Sequence, residues 1–152
     1  MGKRKRLSRI QEKNKHPNTM VHKEIKDYLI ALIIVLVIDL TWIFLLMNSF
    51  YNQQFSLFLR PNPAPIWSAI LAWLLIPLGI SLFVEKVSKN YKQSFFYGAA
   101  YGFILYGVYD FTNYATLANW PIILVIVDVL WGTFLCAVSS LILKIIKKRW
   151  LK

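Results

Sequence analysis

Apolar residues in this sequence gather into four long runs, and polar and basic residues gather between and outside them. A helix needs about 20 mainly apolar residues to cross roughly 30 Å of hydrocarbon. Four segments meet that length: residues 28–48, built on LIALIIVLVI; residues 66–84; residues 95–117, rich in tyrosine; and residues 121–146, long enough to tilt or to emerge at the end. A spanning segment must satisfy its own backbone groups, which selects helices, and four short strands could not close a barrel. The pattern predicts an all-α membrane protein, a four-transmembrane-helix bundle over residues 28–146.

Composition sharpens this picture. Hydrophobic residues make up 57% of the chain and charged residues 16%, yet the net charge is +11. Both hold only if charge is segregated from the apolar runs. Residues 1–27 hold nine Lys or Arg and three acids, and residues 144–152 hold five more basic residues. Charge that flanks apolar runs points to a membrane rather than to nucleic acid, and the leader lacks the interleaved aromatics of a nucleic-acid binder. Residues 1–27 read as a disordered cytoplasmic tail and residues 147–152 as a second, shorter one. Both would hold anionic lipid headgroups, at about 1 kcal/mol per basic residue near the surface. The first apolar run is longer than a secretion signal's and no small-x-small site follows it, so it reads as a signal anchor.

Loop charge sets the orientation. The loop 85–93 carries Lys86, Lys89 and Lys92, whereas 49–65 carries only Arg60 and 118–120 carries no basic residue. Basic loops stay on the cytoplasmic side, which places both termini there. The link Ala118–Pro121 is short enough to force an antiparallel hairpin. Gly98-x-x-x-Gly102 would let another helix approach closely. Pro77 should kink the second span, NPAP (Asn62–Pro65) should form a stiff turn into it, and Trp67, Tyr114 and Trp120 fit an interfacial belt. Cys136, alone in an apolar run, reads as a small core residue.

The candidate chemistry lies in three acids inside the apolar runs: Asp39, Asp110 and Asp128. Charge in hydrocarbon is costly, and no Lys, Arg or His lies beside them in their segments. Asp110 and Asp128 each stand nine residues from Asn119, and Asp39 nine from Asn48, so counting places all three at one height in the outer half of the membrane. Each has a companion at i+3: Trp42, Asn113 and Trp131. Thr41, Thr112, Tyr106, Tyr114 and Gly132 complete the expected surroundings. Three carboxyls without a basic partner cannot all be ionised in low dielectric, so some hold protons or a cation sits among them, and they titrate as a unit. Hard oxygen ligands would favour a proton, Mg²⁺ or Ca²⁺. On the residues alone three readings stay open: a site for a proton, a cation or a polar lipid headgroup, in an oligomer if it transports; an enzyme or enzyme subunit acting on lipid; or acids that only hold helices together. No nucleophile–base pair, zinc motif or phosphate loop is visible. His16 and His22 lack partner ligands, so no metal site is expected, and no motif names a cofactor.

The strings IDLTWIF, Phe50–Tyr51, LRPNP, YGAAYGFILYGVYDFTNYATLANWP and VDVLWGTFL together resemble a family of predicted membrane proteins called DUF2177. The resemblance spans Val37–Val138. It departs at AWLLIPLG in the second span, where a tyrosine-rich run is replaced, and in the long basic leader. It implies the four-span topology and a multi-pass membrane location: the cytoplasmic membrane in a bacterium, a host-derived or virion membrane in a virus. It marks Asp39, Trp42, Asp110, Asn113, Trp120, Pro121, Asp128, Trp131 and Gly132 as motif positions, and it implies a link to membrane lipid metabolism or remodelling without fixing an activity.

Overall fold

A computed structural model describes residues 16–56, 58 and 65–150, with the backbone alone at 16–20 and 150. Every regular element among them is helical. Helix α1 covers His16–Leu40 and widens into π-helical turns at Thr41–Leu46. Helix α2 (Asn48–Phe55) follows directly. Helix α3 (Ile66–Gly79) also widens, at Ile80–Val84, and ends in a turn at Glu85–Val87. Helix α4 covers Tyr91–Thr116 and α5 covers Ile122–Trp150.

Among the described residues, three segments are long and apolar enough to cross a membrane: Val21–Leu46, Ile66–Val87 and Ile122–Arg149. Helix α4, within which the third expected span falls, has the length. Lys92, Gln93, six tyrosines, Asp110 and Asn113 leave it less apolar than the others.

Helix α1 starts at His16, so residues 16–27 are helical where the sequence suggested a disordered tail. Asp27, buried against Lys147 of α5, marks where this helix meets the bundle, and residues 21–26 before it are exposed. The rest of the expected tail, residues 1–15, lies outside the described residues, as do Asn62–Ala64 of the NPAP turn. Pro65 caps α3 in an extended conformation, and its carbonyl accepts from the Ser68 amide at 3.0 Å. After Pro77, which has no amide hydrogen to donate, the α3 ladder shifts into π register.

Large apolar side chains point away from the bundle: Ile33, Val37, Leu45, Phe83, Val108 and Leu130 are all more than half exposed. The interior mixes branched aliphatics such as Val35, Ile80, Leu124, Leu135 and Leu143 with small and polar groups. Between helices in lipid the hydrophobic effect contributes little, so association rests on close packing and hydrogen bonds. The α4–α5 hairpin shows both. A Cβ on Gly98 would overlap the Cys136 carbonyl and Ser140, and one on Gly102 would overlap the Gly132 carbonyl. Ser94 Oγ donates to the Ser140 carbonyl at 2.8 Å. The hairpin turns through Asn119, whose φ of 62° is left-handed. Asparagine tolerates that conformation because its short amide can bond locally.

Residues 49–55, expected to lie in an outer loop, instead belong to α2, which folds back over the bundle. Phe50, Tyr51, Phe55 and Phe58 fall on one side and pack with Trp120, Leu124, Val125 and Val129. Asn52 and Gln53 face out. Trp120, assigned from sequence to an interfacial belt, is therefore 6% exposed under Phe55 and Phe58, whereas Trp67 and Tyr114 are exposed.

Candidate functional site

All three acids face into the bundle: Asp39 is 3% exposed, Asp110 0% and Asp128 8%. Their partners are not the expected i+3 companions. Asp39 accepts one indole N–H on each oxygen, from Trp131 on Oδ1 and from Trp73 on Oδ2, both at 2.9 Å. Asp128 Oδ1 accepts from the Tyr51 hydroxyl at 2.5 Å, and that hydroxyl accepts from Trp42 Nε1 at 3.1 Å. A phenol is protonated at neutral pH, which frees its O–H to donate. The indole expected beside Asp128 thus serves Asp39, and the one expected beside Asp39 serves Asp128 through Tyr51. Trp42 and Trp131 make the exchange as a stacked pair, centroids 4.1 Å apart and 5° from parallel. A side chain three residues on shares its neighbour's face, but the face looks across the helix interface, so the bond forms there.

The acids also do not share one height. Gly98 faces Cys136, Gly102 faces Gly132 and Ser94 bonds Ser140, so each turn up α4 matches a turn down α5. Carried outward, this register sets Tyr106 opposite Asp128 and Asp110 opposite Leu124. Asp110 is then about one turn further out than Asp128. Between α1 and α5, the Asp27–Lys147 pair and the Trp42–Trp131 stack set Asp39 roughly one to two turns inward of Asp128. The three form a staircase, with Asp128 within electrostatic reach of both Asp39 and Asp110. Counting from Asn119 and Asn48 missed this for two reasons. Helix α4 outruns the start of α5 by a turn, and Asn48 begins another helix rather than marking the end of α1.

Asp110 stands apart. Both its carboxyl oxygens are buried and have no hydrogen-bond partner. Asn113 is half-buried and, among the described residues, bonds none of the three acids. Thr41 donates to the Val37 carbonyl of its own helix at 2.6 Å, Thr112 lies on the outer face, and Tyr114 is 51% exposed. These four expected members lie outside the staircase. Tyr106 and Gly132 do belong to it, since a Cβ on Gly132 would occupy the Tyr106 ring. Sequence reasoning missed Trp73 and Tyr51. The phenylalanine and tyrosine spacing of 50–58 carried a signal for α2. Trp73 carried none beyond being an indole in an apolar run.

Beside the staircase, α3 and α4 leave a cleft of about 320 Å³, with Leu75 and Ile76 on one wall and Tyr101, Tyr106 and Tyr109 on the other. Among the described residues no three His, Cys, Asp or Glu side chains converge as metal ligands.

No curated protein and no solved structure matches the chain. A family model described as a predicted membrane protein, DUF2177, matches residues 24–144, and the chain belongs to that family.

Proposed function

We propose that the chain crosses the membrane four times with both termini in the cytoplasm, and that its aspartate staircase is a proton-binding site in the outer half of the bilayer. Helix α4 packs along α5 through Ser94, Gly98 and Gly102, so it shares the depth of a helix that is itself apolar enough to cross. Lys23, Lys86, Lys89, Lys92, Lys144 and Lys148 gather at the end opposite the staircase, which the charge rule places inside.

Within the staircase the acids divide the work. Asp39, with both oxygens filled by fixed indoles from α3 and α5, ties three helices together. Asp128 is read by Tyr51 and, through it, by the Trp42–Trp131 stack. Asp110 is the proton holder, and the observation that carries this is its complete burial with neither oxygen bonded. A bare carboxylate in low dielectric is far costlier than a neutral acid. Asp128 and Tyr109 are its polar neighbours, and no cation pairs with it among the described residues. The scarcity of converging ligands among the described residues favours a proton over a divalent ion.

The stacked indoles supply the test. Their near-ultraviolet circular dichroism couplet, followed against pH in lipid nanodiscs, should change with proton occupancy in the wild type. It should be pH-invariant in Asp110→Asn, which keeps the shape of the neutral acid. A couplet that titrates identically in both proteins would refute the assignment to Asp110.

A further inference from the structure

At the end of the bundle opposite the staircase, the final turns of α5, the Ser88–Asn90 link and α1 enclose a cavity of about 310 Å³. Its wall carries five lysines, Lys23, Lys89, Lys144, Lys147 and Lys148, against one acid, Glu85. Two of the five are committed. Glu85 Oε1 accepts from Lys144 at 3.0 Å and from Lys147 at 2.6 Å, and Lys147 also bonds Asp27. Lys23, Lys89 and Lys148 pair with no carboxylate among the described residues, and Lys148 lies over the Tyr91 ring at 4.8 Å. The N-terminus of α4 opens at the same place. Asn90 caps the Gln93 amide at 2.9 Å and Gln93 Oε1 accepts the Lys89 amide at 2.8 Å, so the positive end of the helix dipole faces the lysines. Glu85, 8% exposed, gives Oε1 to the two committed lysines and leaves the other three without a carboxylate.

We infer that this cavity binds a phosphomonoester, presented as the headgroup of an anionic lipid. Three ammonium groups outside the ion pairs and a helix N-terminus match a doubly charged phosphate. The volume is at the lower end of small-molecule sites, which suits a headgroup and no more. The lipid source is favoured by position, since Phe95 and Phe96, exposed one turn along α4, leave an apolar track for acyl chains. This site is independent of the aspartate staircase.

Native mass spectrometry of the full chain, released from micelles with equal amounts of short-chain phosphatidic acid and phosphatidylcholine, tests the inference. Phosphatidic acid should be retained in preference, and the Lys89→Ala/Lys148→Ala double variant should lose that preference by roughly ten-fold or more. Neither side chain belongs to the Glu85 ion pairs, so the fold is kept. The Lys86→Ala/Lys92→Ala variant removes equal charge away from the cavity wall and should retain the lipid. Equal retention of both lipids, or equal loss in the two double variants, overturns the site. Displacement by glycerol phosphate at the same concentration would support the phosphomonoester chemistry and reassign its source to a soluble molecule.

Discussion

The bundle buries polar groups at both ends, and the two ends solve the problem of burial in opposite ways. At the end that the proposed topology places inside, acids meet cations: Asp27, Glu85, Lys144 and Lys147 form one ion-pair network that joins α1, α3 and α5. At the outer end acids meet only neutral donors, the indoles of Trp73 and Trp131 and the hydroxyl of Tyr51, and Asp110 meets nothing. A charge network close to the headgroups can reach water and counterions. Carboxyls further inside must be neutralised by a proton or stabilised by fixed dipoles. The first arrangement holds helix ends. The second leaves one buried acid without a hydrogen-bond partner, the feature on which the proposed proton site rests.

Breaking the inner network should cost most. Lys147→Ala leaves Asp27 without a cation among the described residues and should destabilise the protein by about 3–5 kcal/mol, read from denaturant unfolding in micelles. The neutral-donor end should be less sensitive. Trp131→Phe leaves one oxygen of Asp39 unbonded and removes half the indole stack, for about 1–3 kcal/mol in the same assay. Tyr51→Phe removes the donor to Asp128 and the acceptor for Trp42, at the lower end of that range, and should detach α2 enough to expose Trp120 to a fluorescence quencher. Asp110→Asn should move stability by no more than about 1 kcal/mol, because one buried neutral polar group replaces another and no hydrogen bond is lost. If Asp110→Asn cost as much as Lys147→Ala, the contrast between the two ends would collapse.

Much of the helical framework was legible in the sequence. Long apolar runs need only counting, and the small residues at Gly98 and Gly102 announce a close approach that the packing confirms. Burial of the three aspartates was also legible, because an acid in an apolar run has nowhere else to go. Their partners and heights were not. Which helix supplies the indole to Asp39 depends on how α1, α3 and α5 pack, and spacing along one helix cannot encode that. The staircase arises from a one-turn overhang of α4, set by packing of glycines rather than by the link. Helix α2 is only eight residues long, too short to form alone, and its aromatic side exists as a surface only once Trp120 is in place. The inner network was hidden for a simpler reason. Its lysines were counted as a tail that sets orientation and meets lipid, although the acids that bind them, Asp27 and Glu85, lie far away in sequence.

Infrared spectroscopy of the protein in lipid reads the state of Asp110 most directly, because a neutral carboxylic acid has a carbonyl stretch well separated from that of a carboxylate. A protonated-acid band should be present at neutral pH, be lost in Asp110→Asn and survive in Asp39→Asn. A spectrum with no such band, or one in which the band outlasts removal of Asp110, would contradict the proton-binding account.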